Sequence, residues 1–282
     1  MRLGGPVFVE SGDPEVLARA HRAEGYRAAY CPSTASLDDP GGIHRTSAAF
    51  AAADVVIAEV GAWCNLLSPD PARRKHNIDY VCRQLALADE VGALCCVDYA
   101  GTLAPEVDYG PHPANLSEAC FEQIVATVRG ILRQVNPRRT RFTLEMMPAV
   151  FPDDADSYLR LIAAIDHPRF GVHLDPVNII TSPRRYFANG AVIRECFAKL
   201  GPHIASCHAK DAVMSARFMV EITECPIGQG ALDYGAFLTE LGRLPHPPPL
   251  MLEHLQTPEQ YRQARDHLVR QAGGLGLSFD RG

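Results

Sequence analysis

The chain has 282 residues, of which 47% are hydrophobic and 21% are charged, and its formal net charge is −6. This composition suits an ordinary soluble enzyme with a large buried core. It disfavours a nucleic-acid-binding protein, which usually carries a basic face. We find neither a signal-peptide core nor a stretch close to the roughly 18 apolar residues of a membrane span. We therefore expect a cytoplasmic protein without nucleic-acid or membrane partners.

Nine cysteines are scattered along the chain, and no two of them form a CxxC pair. Cys95 and Cys96 are adjacent within an apolar run. This arrangement is typical of reduced, mostly buried thiols rather than of a disulfide framework, which agrees with a cytoplasmic protein.

Short β-like runs and longer segments with helical spacing alternate along the whole chain. In the first half, strands are predicted at 7–9, 26–31, 54–60 and 93–98, and helices at 14–24, from about 46, at 71–91 and at 116–134. Asp13 and Ser117 are the expected N-caps, and Pro14 suits a first helical position. In the second half, strands are predicted at 140–145, 170–174, 203–208 and 249–253, and helices at 153–165, 183–200, 231–243 and 258–271.

Eight strand–helix units in unbroken alternation predict a parallel β/α architecture, and eight is the number that closes a barrel. We therefore predict a (β/α)8 TIM barrel that forms a single domain over residues 1–282. A doubly wound open sheet is the alternative, but the chain lacks a glycine-rich nucleotide turn. Long connections at 32–44, 99–115 and 209–230 follow strands, on the face where barrel enzymes build substrate pockets.

Four polar residues end four consecutive apolar segments in the second half of the chain. They are Glu145, Asp175, His208 and Glu253, spaced by about one βα unit each. Because the carboxyl ends of barrel strands converge on one site, we expect these side chains to meet. Three carboxylates and one imidazole are good ligands for a hard or borderline divalent cation.

These residues, together with His-Ala-Lys-Asp at 208–211, resemble the xylose isomerase-like TIM barrels and their sugar phosphate isomerase/epimerase branch. The resemblance covers nearly the whole chain and is strongest from 140 to 255. It implies that Glu145, Asp175, His208 and Glu253 bind one divalent metal ion, with Mn²⁺ expected first and Mg²⁺ or Co²⁺ as alternatives. It also implies a small-molecule carbohydrate substrate and a homo-oligomer.

The chemistry implied by such a site is enolisation. A divalent ion that chelates a hydroxyl and the adjacent carbonyl stabilises the enediolate formed when the α-proton leaves. By resemblance to the epimerases, Glu145 and Glu253 are expected to remove and return that proton, whereas Asp175 and His208 serve only as ligands. The leading hypothesis is a metal-dependent isomerase or epimerase of a sugar, keto-sugar or related polyol.

Three other functions compete with this hypothesis. Elimination from the same enediolate would give a lyase, similar to inosose dehydratase or to enzymes that cleave 3-keto-glycosides or C-glycosides, with His112 or His173 as the acid. A phosphodiesterase like endonuclease IV shares the barrel but needs more histidines at the strand ends and a basic face. A non-catalytic sugar-binding barrel is disfavoured because all four ligand positions are intact.

Four side chains before Asp175 are candidates for contact with the substrate, and each has a plainer alternative. Trp63, the only tryptophan, follows strand three and is either a platform for a sugar face or a packing residue. Asn65 is a candidate for binding a hydroxyl. His112 lies on a long loop, where a surface position is the alternative. His173 shares a strand face with Asp175 and is either a substrate contact or a satisfied barrel histidine.

Three further candidates follow strands six and seven. Asn178 occupies the position, three residues after the aspartate, where ketose 3-epimerases carry a histidine, which argues against that specificity. Lys210 is expected either to hold a substrate oxygen or to pair with Asp211. Arg217 matches the arginine that ketose 3-epimerases carry after the histidine. Gly228-Gln-Gly230 predicts a turn rather than a phosphate loop, because no Lys-Ser/Thr follows it.

Overall fold

The computed structural model describes residues 1–279, and these form one closed barrel of eight parallel strands surrounded by helices. The strands, including a two-stranded hairpin outside the barrel, are β1 Leu3–Gly4, β2 Ala28–Tyr30, β3 Val56–Gly61, β4 Cys95–Asp98, β5 Arg141–Glu145, β6 Phe170–Leu174, β7 Ile204–Ala209, β8 Asp211–Met214, β9 Ile222–Cys225 and β10 Leu250–Leu252. The α-helices are α1 Pro14–Ala23, α2 Pro40–Ala52, α3 Pro71–Val91, α4 Glu118–Val135, α5 Ala155–Ile165, α6 Pro183–Phe187, α7 Asn189–Leu200, α8 Tyr234–Arg243 and α9 Pro258–Gly274. Short 3₁₀ helices lie at Val177–Ile179 and Gly201–His203. The predicted TIM barrel is therefore confirmed.

The barrel closes through β1, which pairs in parallel with β2 on one side and with β10 on the other. A Cβ atom at Gly4 would overlap the side chain of Met251, which is fully buried. Glycine is thus required where the shortest strand meets a large interior side chain. The predicted first strand at 7–9 is wrong: Phe8 and Val9 are 56% and 42% exposed and follow the strand.

Capping residues fix where the helices begin, much as the sequence predicts. The Asp13 carboxylate accepts the amide of Glu15, and the Ser117 hydroxyl accepts that of Cys120. The single helix predicted at 183–200 is wrong, because it breaks between α6 and α7. The Asn189 amide donates to the carbonyl oxygens of Tyr186 and Ala231, at 2.7 and 2.9 Å. This side-chain bonding competes with a continuous helix.

The long connection after β7 is ordered as the antiparallel hairpin β8–β9. Asp211, the first residue of β8, holds the segment that follows β9, since its carboxylate accepts the amides of Gly228, Gly230 and Leu232. A side chain at Gly230 would collide with this carboxylate. The interpretation of Gly228-Gln-Gly230 as a turn is therefore confirmed. Within the described residues, no helix is both long and apolar enough to cross a membrane.

Candidate metal centre

Four side chains converge at the carboxyl ends of neighbouring barrel strands. Glu145 is the last residue of β5, Asp175 follows β6, His208 lies near the end of β7, and Glu253 follows β10. These strands are consecutive around the barrel, in the order β10–β7–β6–β5. One ligand atom from each side chain lies within 4.8 Å of each of the others. The convergence predicted from strand spacing is therefore present.

The imidazole of His208 lies at the centre of this cluster and is completely buried. Its Nδ1 is 3.0 Å from Oε1 of Glu145, 2.9 Å from Oε2 of Glu253 and 4.0 Å from Oδ2 of Asp175. Burial alone would lower the pKa of His208, but the carboxylates of Glu59 and Glu253 outweigh it and hold the pKa well above its ordinary value. The cluster thus favours positive charge at this point.

The three carboxylates differ in their surroundings. Asp175 is completely buried, and this desolvation raises its pKa to about 6. Burial also opposes ionisation of Glu145 and Glu253, but the contact of each with His208 keeps its pKa below the ordinary value. Three acids in so small a volume repel one another unless cations lie between them.

Lys210 supplies one such cation from the strand end beside His208. Its Nζ is 2.9 Å from Oδ2 of Asp175 and 2.8 Å from Oε2 of Glu253, and the residue is 3% exposed. Burial lowers its pKa, but the surrounding carboxylates, Asp175 first, raise it well above the ordinary value. The predicted alternative, a pair with Asp211, is wrong, because the Asp211 carboxylate accepts backbone amides instead.

The donor set fits a divalent cation by charge and by unsatisfied oxygens. With His208 neutral, as a metal-ligating imidazole is, three carboxylates and one ammonium carry a net charge of −2, which one divalent ion would neutralise. Oδ2 of Asp175 and Oε2 of Glu253 are buried and accept no hydrogen bond of normal geometry, although Lys210 lies within ion-pair distance of both. Buried carboxylate oxygens of this kind are usually paired or bound to metal.

Glu59 is a buried acid beneath the cluster that the sequence reasoning missed. It lies in β3 and is 1% exposed. Its carboxylate oxygens are 3.1 Å from Nε2 of His173 and 3.2 Å from Nε2 of His208, and Ser206 donates a short hydrogen bond to it. A proton on Nε2 of His208 held by Glu59 leaves Nδ1 facing the other three acids, as a metal-ligating histidine requires. In the sequence, Glu59 could have been recognised as a candidate because it is an acid inside an apolar run, Val-Ile-Ala-Glu-Val.

Three aromatic side chains that follow β3 and β4, Trp63, Tyr99 and Tyr109, form an aromatic wall beside the cluster. The Trp63 ring is 6.2 Å from the rings of both His208 and Tyr99, and Tyr99 is 6.0 Å from Tyr109. Trp63 is 39% exposed, with a left-handed backbone at φ 48°. Gly61 leaves room for the indole, since a Cβ there would overlap its Nε1. The platform position predicted for Trp63 is therefore available at the rim of the cluster.

Two predicted substrate contacts in the first half of the chain, Asn65 and His112, form hydrogen bonds with loop backbone instead. The Asn65 side chain is 1% exposed and its amide donates to the Thr102 carbonyl, while its oxygen accepts the amides of Leu67 and Thr102. Asn65 therefore braces two loops instead of facing a substrate. His112 accepts the amide of Ala114 through Nδ1, and within residues 1–279 no hydrogen bond or ion pair joins it to the cluster.

His173 and Arg217 also do not reach the mouth of the site. His173 is fully buried below the cluster, with its ring 4.1 Å from that of His208 and its Nε2 bound to Glu59. His173 therefore lies inside the barrel, as the second interpretation expects, but only Nε2 is hydrogen-bonded, because Nδ1 is buried without a partner within the described residues. The Arg217 side chain is 73% exposed and pairs with Glu221, within the turn that joins β8 to β9. Asn178 donates to the Met146 carbonyl and lines a cleft of about 280 Å³ with Glu224.

The sequence matches the model of the xylose isomerase-like TIM barrel family over residues 17–271, so the chain belongs to this family. No protein of curated function matches it.

Solved structures share the fold at low sequence identity. A xylose isomerase-like TIM barrel protein from Mycobacterium smegmatis, in complex with magnesium, is 16% identical, with a TM-score of 0.66 over 97% of both chains. The 3-keto-D-glucoside 4-epimerase of E. coli is also 16% identical, with a TM-score of 0.69 over 95% of this chain and 98% of the other. Endonuclease IV from Thermus thermophilus is 14% identical, with a TM-score of 0.72 over 97% of this chain and 100% of the other. Because one barrel supports such different activities, the fold alone does not identify the function of this chain, and the residues of the site must be considered instead.

Proposed function

We propose that the protein is a divalent-metal-dependent isomerase or epimerase of a sugar or keto-sugar that works through an enediolate. The observation that carries this proposal is the arrangement of two glutamates at the ends of a four-strand arc. Glu145 on β5 and Glu253 after β10 flank Asp175 and His208. A substrate held above the two central residues would therefore have one carboxylate on each side.

The metal would be held by Glu145, Asp175, His208 and Glu253. Once bound, a divalent ion supplies Lewis acidity toward a carbonyl and its neighbouring hydroxyl. Mn²⁺ remains our first choice, and the magnesium complex of the Mycobacterium smegmatis relative makes Mg²⁺ a direct alternative.

The two glutamates are suited to proton transfer because each uses one oxygen inside the cluster. The contacts involve Oε1 of Glu145 and Oε2 of Glu253. Within the described residues, no hydrogen bond or ion pair engages the second oxygen of either carboxylate. One glutamate can remove the α-proton while the other returns a proton on the opposite side, which inverts the carbon.

Lys210 and the aromatic wall support a carbohydrate as the substrate. The ammonium of Lys210, which stays charged among the acids, would hold a substrate oxygen and favour developing negative charge there. Trp63 and Tyr99 offer amphipathic rings at the rim, which suit the apolar faces of a sugar. Within the described residues, neither His112 nor His173 forms a hydrogen bond or ion pair with Glu145, Asp175 or Glu253, which gives less support to the lyase alternative, since one of these histidines is its expected acid.

The test is proton exchange in D₂O, followed by NMR with the Mn²⁺-loaded protein and a panel of ketoses, inososes and 3-keto-glycosides. We expect deuterium at the carbon beside the carbonyl together with an isomer or epimer, and neither after removal of the metal with EDTA. Loss of a leaving group would support the lyase instead. Absence of exchange with the whole panel, in protein holding one ion per chain, would count against the proposal.

A further inference from the structure

A second cleft lies at the opposite end of the barrel, where the strands begin. Its volume is about 610 Å³, within the usual range for small-molecule sites. Its lining residues precede or begin barrel strands: Arg2 before β1, Leu94 before β4, Arg141 at the start of β5, Arg169 before β6, and Ile204 at the start of β7. It is therefore separated from the carboxylate cluster by the length of the barrel.

Four arginines line this cleft, and two of them lack a carboxylate partner within residues 1–279. Arg2 pairs with Asp54 at 2.8 Å, and Arg139 is 4.0 Å from Glu90. Within the described residues, the guanidinium of Arg141 donates only to the His203 carbonyl, and that of Arg169 only to the carbonyls of Arg138 and Arg139. Each guanidinium has five N–H donors, so most of those on Arg141 and some on Arg169 remain unused. The cleft thus carries uncompensated positive charge.

The side chain of Arg141 is held in place by β6 and by a backbone carbonyl. Its side chain crosses Gly171 of β6, where a Cβ atom would lie 2.9 Å from Cδ of Arg141. The bond to the His203 carbonyl, 3.2 Å long, then fixes the guanidinium at the cleft. An arginine whose stem and head are both held loses little side-chain entropy when it binds an anion.

The rest of the cleft is apolar and partly open. Leu94 is 40% exposed, and Ile204, Leu244 and Pro249 also line the cleft. An exposed leucine beside unpaired arginines matches a ligand with an anionic head and an apolar body.

We propose that this cleft, defined by Arg141, Arg169 and Leu94, binds a small amphiphilic anion, with the guanidinium groups holding the acidic head and Leu94 contacting the apolar body. The site is independent of the metal centre and of the proposed activity. Planar guanidinium groups bind carboxylate, sulfonate or phosphate oxygens through paired hydrogen bonds.

The probe for this site is 1-anilinonaphthalene-8-sulfonate, an aromatic sulfonate whose fluorescence rises on binding. We expect one saturable site per chain. N-phenyl-1-naphthylamine, which has the same apolar body without the sulfonate, should bind about tenfold more weakly or worse. Equal affinity for the two probes, or no saturable binding of the sulfonate, would overturn the proposal.

Variants locate the site. The double variant Arg141→Gln/Arg169→Gln should weaken sulfonate binding about tenfold or more, whereas Arg83→Gln, which removes an exposed arginine on α3, should not. Leu94→Asp tests the same cleft without removing a backbone contact, and it should weaken binding similarly by repelling the anion. Circular dichroism must show native secondary structure in each variant. Unchanged binding in the folded Leu94→Asp protein would overturn the assignment.

Discussion

At the carboxyl ends of the strands, Glu145, Asp175 and Glu253 crowd around a buried histidine, whereas at the amino ends Arg141 and Arg169 face an open, partly apolar cleft. Both ends are formed by the same eight strands, but their charges are opposite. The acidic end concentrates buried, mutually repelling groups that a cation stabilises. The basic end keeps its charges half-exposed, with backbone carbonyls as their partners. The acidic end is therefore expected to depend on a bound metal, and the basic end to fold without a ligand.

The largest effect is expected for the two glutamates that we propose as acid and base at the acidic end. Glu145→Gln and Glu253→Gln would each remove the proposed proton-transfer group while keeping the shape of the side chain. We expect turnover to fall by at least about 100-fold in each variant, as for other general acid–base residues. The measurement is the rate of deuterium incorporation by NMR with saturating metal. Asp156→Asn, on an exposed side chain of α5, is the matched control and should leave the rate unchanged. Wild-type rates in either glutamate variant would refute the acid/base assignment.

The next effect concerns Glu59, which holds His208 from below. Glu59→Gln keeps the size of the side chain but removes the charge that orients the imidazole. We expect metal affinity to fall about 10- to 100-fold, the usual consequence of losing an outer partner of a ligating histidine. Isothermal titration with Mn²⁺ measures this directly, with thermal unfolding as the check on folding. A merely structural role for Glu59 predicts a lower melting temperature with unchanged affinity.

A smaller effect is expected at the basic end, where Gly171 makes room for Arg141. Gly171→Ala should displace the arginine stem and destabilise the fold by about 1–3 kcal/mol, as other overpacked sites do. Urea unfolding gives the value, and Gly130→Ala, in α4 with no atom within 4 Å of the added Cβ, is the control. The metal affinity should be the same in both variants. Loss of metal binding in Gly171→Ala would show that the two ends are coupled.

The smallest effect is pH-dependent and also lies near the basic end. The Asp89 carboxylate accepts the backbone amides of Arg138, Arg139 and Thr140. Burial alone would raise its pKa, but these amides outweigh it and hold the pKa below the ordinary value. A lowered pKa stabilises the fold above the unfolded value of about 4, and this contribution is lost as pH falls through the folded value.

Asp89→Ala should therefore cost about 1 kcal/mol at pH 7, and the difference from the unmodified protein should shrink on acidification below about pH 4. Urea unfolding across this pH range is the measurement. A constant difference at all pH values would mean that the carboxylate charge is not responsible.

The sequence predicts the barrel well because its signals are local. Helix α3 and strand β6 have the predicted bounds, since Pro71 marks the start of the helix and the strand is a short, largely apolar run, Phe-Gly-Val-His-Leu. Strand β1 was misplaced because two residues leave almost no periodic pattern, and its pairing depends on Met251, far along the chain. The break between α6 and α7 depends on a contact between Asn189 and Ala231, which is also non-local.

The convergence of Glu145, Asp175, His208 and Glu253 was predictable because strand ends in a barrel have a fixed meeting point. The roles of the neighbouring residues could not be predicted from the sequence. Asn65 and His173 have the chemistry of substrate contacts, but the amide group of Asn65 and Nε2 of His173 form hydrogen bonds inside the protein. Glu59 was missed because its partners, His173 and His208, come from strands far along the chain, at separations of 114 and 149 residues.

The proposed single divalent cation site at the acidic end can be tested by titrating the metal-free protein with Mn²⁺ and following the free ion by electron paramagnetic resonance. We expect one ion bound per chain in the wild-type protein and binding at least about tenfold weaker in Asp175→Asn, which would remove the charge of a buried proposed ligand. Absence of stoichiometric Mn²⁺ binding, or binding that Asp175→Asn leaves unchanged, would contradict it.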